Sequence, residues 1–381
     1  MKKGEGEVVT GWKETTLGAE VDMLTGFPFA SSGYVDSENA IRLVRGDNII
    51  QGAMRWDGVK KWPQTDISQF NKFQLQADDI VLAMDRPWIE AGLKYSAISK
   101  YDLPCLLVQR TARLRGGSNL DTRFLRYLIG SKEFTQHVQA ITTGTAVPHI
   151  SATQIKQFQF LRPPLPEQKS IAAVLSSFDD KIDLLHRQNA TLEAMAEALF
   201  RQWFVVEAKE GWEEKKLGEF FPVKTGKKDA NYSVEDGAYP FFTCSRQTLN
   251  APDYSFEGAA ILLAGNGDFN VKRYSGKFEA YQRTYVLIPY NEMYFNFLYV
   301  VIKLFLNEIT EGHRGSVINF ITKGMIEDFI VAMPSGDITP KLRHFNQIYA
   351  KVDENTHQIH TLEKLRDTLL PKLMTGEIKI A

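Results

Sequence analysis

The sequence predicts an α+β chain in which two duplicated mixed domains are separated by two long antiparallel helices that form a coiled-coil spacer, with pseudo-twofold symmetry between the copies. Short motifs recur in the same order along the chain. Gly11-Trp12-Lys13-Glu14 and Leu17-Gly18 return as Gly211-Trp212-Glu213-Glu214 and Leu217-Gly218, Thr25-Gly26 returns as Thr225-Gly226, and Gln109-Arg110-Thr111 returns as Gln282-Arg283-Thr284. Gly144-Thr145, Ile150-Ser151, Ile155, Phe158 and Pro163 return as Gly315-Ser316, Ile321-Thr322, Ile326, Phe329 and Pro334, and Thr191-Leu192-Glu193 returns as Thr361-Leu362-Glu363. Preserved order marks one long duplicated unit, in contrast to a solenoid of short repeats. Each copy ends in a heptad pattern, and each begins with short apolar runs separated by turn residues.

Four segments follow. Residues 1–165 form the first mixed domain. Ala40–Val44, Ile80–Ala83 and Leu103–Val108 read as strands, punctuated by Arg45-Gly46-Asp47-Asn48 and Trp56-Asp57-Gly58, and Thr122–Ala140 reads as a helix. Residues 166–208 are the central helix. Its apolar positions Ile171, Leu175, Phe178, Ile182, Leu185, Leu192, Ala196, Leu199 and Trp203, with Asn189 included, alternate in steps of four and three. That spacing keeps one stripe of a helix against a partner helix, here for roughly 50 Å at the standard rise. Pro163 and Pro164 keep the approach extended, and Pro166 suits the first turn.

Residues 209–338 repeat the mixed pattern, with strands over Tyr239–Thr243, Ala259–Leu263 and Tyr285–Ile288 and a helix over Phe295–Phe305. Residues 339–381 contain the distal helix, with seam positions Phe345, Ile348, Val352, Asn355, Ile359, Leu362, Leu369 and Leu373, Arg366 in one further seam position, and Pro371 marking a fraying end. Each seam holds one asparagine. Asn189 and Asn355 fit either a register-setting pair or seam positions near water-exposed ends.

With 381 residues, 44% hydrophobic and 24% charged, the chain is large enough for two or three cored domains of ordinary soluble composition. No run of 18 apolar residues is present, so no membrane span is expected. Met1–Thr10 has two lysines but no apolar stretch after them, unlike a secretory signal. Cys105 and Cys244 fall at non-equivalent places, which points to a reducing, cytoplasmic setting. The net charge is −1. Residues 1–165 carry 20 Lys/Arg against 17 Asp/Glu, and residues 210–340 carry 13 against 17. The second balance is unlike that of a strong non-specific DNA binder.

Catalytic and metal motifs are missing. None of the seven histidines stands in a His-Glu-x-x-His arrangement, and there is no Gly-x-Ser-x-Gly elbow and no phosphate loop. His357 and His360 flank the seam and read as solvent-facing, so no metal site is expected. Gly265-Asn266-Gly267-Asp268 follows a strand, as in an adenosyl-cofactor cradle, but Asn270 stands where a third glycine belongs, and a hairpin turn is the better reading. Pro252-Asp253 opens like a nuclease motif, but no acid-x-Lys follows.

Turns carry binding chemistry instead. Arg45, Asn48, Lys60, Arg86, Gln109 and Arg110 in the first copy, and Lys228, Arg246, Arg273, Gln282, Arg283 and Arg314 in the second, are candidate DNA contacts. Arginine reads guanine edges and Asn or Gln reads adenine, whereas lysine mostly positions the protein on phosphates. Solvated loop surface is the bland alternative for each, and Arg110 and Arg283 fit a structural role as well as a DNA contact.

The string Pro163-Pro164-Leu165-Pro166-Glu167-Gln168, with Asp179-Asp180-Lys181-Ile182-Asp183, Leu192-Glu193, Met195-Ala196, Ala198-Leu199-Phe200 and Trp203-Phe204, resembles the central region of type I restriction-modification specificity subunits. Leu362–Leu373 with Gly376-Glu377-Ile378 resembles the distal counterpart, and Gly26-Phe27-Pro28-Phe29 with Ser31-Ser32 and Tyr34 resembles the start of a target recognition domain. The resemblance implies that each mixed domain reads half of a bipartite target in double-stranded DNA, while the helices set the spacer and dock the modification subunits. It implies a non-catalytic chain without a cofactor of its own. Its partners would be two adenine-methylating modification subunits and ATP-dependent restriction subunits, which carry S-adenosylmethionine, ATP and Mg2+. One departure stands out: Lys227-Lys228-Asp229 replaces Phe27-Pro28-Phe29 after the second Thr-Gly. The alternative function is a coiled-coil scaffold whose terminal domains bind proteins.

Overall fold

The structure is a computed structural model that describes residues 11–143, 148–310 and 320–380. It divides into two compact units, residues 1–182 with 360–381, and residues 183–359. Each unit therefore contains one mixed domain and parts of both long helices, Leu165–Arg201 and Thr339–Met374.

In the first unit, strands Val21–Thr25, Thr111–Gly116, Ile80–Ala83 and Tyr95–Ala97 form an antiparallel sheet in that order. A second sheet orders Lys61–Trp62, Ile41–Val44 and Cys105–Leu107, the last two parallel. In the second unit one six-stranded sheet does both jobs. Val271–Ala280 runs antiparallel to Phe256–Ala264 and then, at its end, parallel to Tyr239–Phe242. The expected strands are all present. The Gly265–Asp268 segment is the expected hairpin turn, with Gly267 at φ 75° and Leu263 paired with Val271.

The repeated anchors have backbone reasons. Leu17 and Leu217 are buried and donate N–H to the Phe158 and Phe329 carbonyls at 2.8 and 2.9 Å. Ser151 and Thr322 cap the short helices Ala152–Lys156 and Lys323–Glu327, each of which buries its isoleucine, Ile155 or Ile326. Gly26 and Gly226 lie so near a parallel strand that a Cβ would sit 2.1 Å from the Val108 carbonyl oxygen and 2.2 Å from that of Ala280. The recurring Gly144-Thr145 and Gly315-Ser316 lie outside the described residues. The Phe27-Pro28-Phe29 segment seats Phe27 and Phe29 in an aromatic cluster with Trp62, Phe70 and Phe73.

Three elements depart from expectation. The helix over Thr122–Ala140 is two helices, Thr122–Ile129 and Lys132–Ile141, because Ser131 accepts from the Phe134 N–H and starts a new one. The central helix ends in a π turn over Gln202–Val206. Pro371 lies inside the distal helix, which continues to Met374. The proline forfeits one hydrogen bond, but Thr375 N–H still reaches the Pro371 carbonyl at 3.0 Å, and the continued turn buries Leu373 in the first unit's core.

The helices are built into the cores. In the first unit Ile171, Ala172, Leu175 and Leu373 join Ile80, Leu82, Leu114, Phe124 and Phe134. Asp179 accepts from Arg366 at 2.9 Å and from the Tyr127 hydroxyl at 2.8 Å, which is what the arginine in the distal seam does. In the second unit Phe200, Phe204, Phe345, Ile348 and Val352 join Ile261, Leu263, Phe297 and Val301. There the central helix runs antiparallel to the distal one: Asn189 meets Asn355, and Trp203 meets His344 and Phe345. Ile182, Leu185 and Ile359 are buried, and Phe178, Asn189, Leu192, Leu199, Leu362 and Leu369 are half-buried. Asn355, 1% exposed, donates to the Asn189 side-chain oxygen at 2.9 Å, so it is not a seam residue at a wet end.

Phe345 is fully buried among Trp203, Phe204 and Phe297. Phe345→Ala is expected to cost about 3–5 kcal/mol, read as a lowered urea midpoint; a loss below about 1 kcal/mol would contradict this packing. Burial pushes the Cys105 thiol up to about 12, while Cys244 is half-buried. Iodoacetamide at neutral pH should label Cys244 in the native protein and Cys105 only after unfolding, as read by peptide mass.

Candidate nucleic-acid interface

In the first unit three loops meet beyond the parallel strand pair Ile41–Val44 and Cys105–Leu107. The loop after Val44 carries Arg45, whose guanidinium lies 3.6 Å from Asp47. Arg45, Asp47, Asn48, Arg55, Asp57 and Lys60 line one cleft. A second concavity shares Arg45 and Asp47 and adds Tyr34, Asp85, Arg86, Lys94, Gln109 and Arg110. Arg45, Lys60, Arg86, Gln109 and Arg110, scattered in sequence, are thus brought onto one continuous surface. Arg45, Arg55, Lys60, Arg86 and Arg110 outnumber Asp47, Asp57 and Asp85 there, so the surface is locally basic although the whole chain is not.

Arg86 and Arg110 adopt left-handed backbone, φ 45° and 65°. Such conformations in non-glycine residues are held by their surroundings. Arg86 N–H donates to the Pro148 carbonyl, and the Arg110 carbonyl accepts from Met84 N–H at 2.9 Å. The Arg110 side chain is 66% exposed and lies 3.2 Å from Asp85. The motif Gln-Arg-Thr thereby separates into parts. Thr111 is buried, with its hydroxyl donating to the Val108 carbonyl at 2.5 Å, while Gln109 and Arg110 face outward. The backbone of Arg110 is structural and its guanidinium is presented to solvent.

Asn48 departs from expectation. It is buried, accepts from Arg45 N–H at 2.8 Å and donates to the Leu43 carbonyl at 2.9 Å. Its amide closes the turn and is not offered to a base edge.

The second unit repeats the arrangement. Arg283 is exposed, and its carbonyl accepts from Gly265 N–H at 2.8 Å. Gln282 donates to Asp229 at 2.7 Å, and its N–H reaches the Lys228 carbonyl at 2.9 Å. Lys228 sits 4.1 Å over the Tyr232 ring. Arg246, exposed, pairs with Asp268 at 2.8 Å. Cys244 links the two sides, its thiol 3.4 Å from the Arg283 carbonyl.

Arg273 points the other way. Its guanidinium donates to Asn296 at 3.1 Å and the Tyr349 carbonyl at 3.2 Å, pairs with Asp353, and lies 4.5 Å over the Tyr349 ring. Strand alternation sends neighbours to opposite faces, so Lys272 faces the loops and Arg273 faces the helices. Arg273 is a structural residue. Arg314 lies outside the described residues. The sequence places Arg55 and Lys272 in turn segments with binding chemistry without selecting them as candidates, and it gives no sign of Lys94. Lys94 meets its loop across 48 residues of sequence, which no local pattern reveals.

Among the described residues, no three His, Cys, Asp or Glu side chains converge as a metal site, and no helix is long and apolar enough to cross a membrane.

The loops lie at equivalent places in two duplicated α+β domains, each built together with parts of the long helices, which defines a class of two-domain protein. The type I restriction modification DNA specificity domain matches residues 21–194 and 209–361, and the chain belongs to that family. It is similar to the specificity subunit of the type I restriction enzyme EcoDI of Escherichia coli, 40% identical over 172 residues that cover 44% of this chain and 38% of that protein. The MjaIX specificity subunit of Methanocaldococcus jannaschii is 26% identical over 338 residues, covering 76% of each. The solved S subunit of a type I restriction-modification system from M. genitalium aligns over 98% of both chains with a TM-score of 0.62 at 20% identity, a likeness of fold.

Two arginines separate the roles. Arg273→Ala should lower stability by about 1–3 kcal/mol, the loss of charge-assisted hydrogen bonds. Arg110→Ala should leave the melting temperature unchanged. Differential scanning fluorimetry of both variants decides, and equal destabilisation would show that Arg110 is structural as well.

Proposed function

We propose that this chain is the non-catalytic DNA-reading subunit of a type I restriction-modification complex. Residues 1–165 and 209–338 each read one half of a bipartite target in double-stranded DNA. The helices in 166–208 and 339–381 set the number of unread base pairs and dock two modification subunits. Those subunits would supply S-adenosylmethionine-dependent adenine methylation, and restriction subunits would supply ATP- and Mg2+-dependent cleavage, all in the cytoplasm. The observation that carries the proposal is the basic surface that gathers Arg45, Lys60, Arg86, Gln109 and Arg110 from three loops. Exposed guanidinium and amide groups on rigidly held turns suit bidentate reading of base edges, and surrounding lysine and arginine suit phosphate neutralisation. The acidic balance of residues 210–340 fits a division of labour in which partner subunits contribute part of the affinity.

Purified with its modification subunit, the chain should protect one split DNA sequence and not a scrambled one; equal affinity for both would favour a protein-binding scaffold. Inserting one helical turn into both long helices should lengthen the unread spacer and leave each half-site as it was. Altered half-sites would contradict the role of the helices as a spacer.

A further inference from the structure

The strand register aligns residues of the two units that sequence comparison does not. Thr111 and Thr284, the last residues of the repeated motif, pair with Ala83 and Ala264. The N–H groups of Ala83 and Ala264 then donate to the carbonyls of Lys94 and Asn270, both at 3.0 Å. Lys94 and Asn270 therefore occupy one structural position. From that position each side chain donates to a loop carbonyl: Lys94 to Gly46, and Asn270 to Cys244 at 2.8 Å. These carbonyls are equivalent in turn. Gly46 lies two residues beyond Val44, which pairs with Leu107, and Cys244 lies two beyond Phe242, which pairs with Ala280 in the same parallel sense. Two residue types with no likeness in sequence make one contact in both copies.

The second unit adds to it. Lys272, half-buried on the loop-facing side of its strand, donates to the Ser245 carbonyl and to that of Thr243 at 3.4 Å. Burial pushes the Lys94 and Lys272 ammonium groups below the usual lysine value, as expected for cations drawn in from solvent toward carbonyl oxygens. The fastened loops are those that carry Arg45 and Arg246.

We propose that Lys94 in the first unit, and Asn270 with Lys272 in the second, are positioning residues for DNA discrimination, fastening the loops that carry Arg45 and Arg246. The inference rests on the DNA-reading function proposed above. Bidentate reading of a base edge needs its donors held within about half an ångström. A loop fixed at its carbonyls meets DNA already in shape, whereas a free loop has to be ordered on the specific site, which lowers the affinity there. A phosphate-binding lysine behaves differently, because it adds affinity for every sequence and steepens the salt dependence.

That difference is the test. The full chain with its modification subunit would be titrated, over a salt series, with a duplex carrying its mapped methylation sequence and with a scrambled duplex. Lys94→Met, Asn270→Ala and Lys272→Met should each lower the ratio of specific to non-specific affinity by about tenfold. Affinity for the scrambled duplex and its salt slope should stay as in the unsubstituted chain. An equal loss on both duplexes with a salt slope shallower by about one would make the lysines phosphate contacts and overturn the proposal, as would an unchanged ratio. Asn270→Ala keeps the test decisive if a lysine variant melts early, since it removes a fastening without removing charge. If the unsubstituted complex does not discriminate the two duplexes, the DNA-reading function itself fails. If it discriminates and the variants match it, only the positioning role fails.

Discussion

At Gly26 the chain passes so close to the Val108 carbonyl that no side chain fits, and the same crossing occurs between Gly226 and Ala280. The crossing lets two segments run side by side in the parallel sense, Phe27 with Val108 and Lys228 with Tyr281. It also fixes where the Gln-Arg-Thr turn emerges. The turn is clamped from within by a buried threonine and from the side by an N–H from the neighbouring loop, at Met84 or Gly265. The outward Gln and Arg then have little backbone freedom left. A side chain placed by such a scaffold can read a partner at lower ordering cost than one on a free loop.

The same logic explains which parts of the duplicated unit stayed alike. Residues whose backbone is constrained, such as Leu17 and Leu217 or Gly26 and Gly226, recur in both copies. The loops they support differ. The first unit fills the space after its Thr-Gly with Phe27, Phe29 and an aromatic cluster, while the second places Lys227, Lys228 and Asp229 there and turns Lys228 onto Tyr232. Within each unit the long helices supply core side chains. They are structural members of the domains as well as candidates for a spacer. The Asn189–Asn355 pair costs apolar contact and joins the two seams by a side-chain hydrogen bond of 2.9 Å.

Much of the fold was legible from the sequence because its signals are local. Heptad spacing marked both helices, alternation and turn residues marked the strands, and an Asn-Gly step marked the hairpin at Gly267. The split of the helix at Ser131 escaped because apolar spacing continues across it, and the passage through Pro371 escaped because its compensation is the burial of Leu373 in a distant core. The site was legible only in part. Residue type marked Arg45, Lys60, Arg86, Gln109 and Arg110 as outward candidates on turns. It could not mark Asn48 or Arg273 as inward, since that depends on which side of a turn or strand each one faces. The roles of Lys94 and Lys272 depend on carbonyls that only tertiary structure brings near.

The central claim is that two independently built reading surfaces act on one DNA. Single-molecule sequencing of the host genome, with and without this chain, maps the methylated adenines directly. The expected result is a two-part motif with a gap of fixed length that disappears when the chain is removed. An uninterrupted motif, a gap of variable length, or methylation unchanged by removal would contradict it.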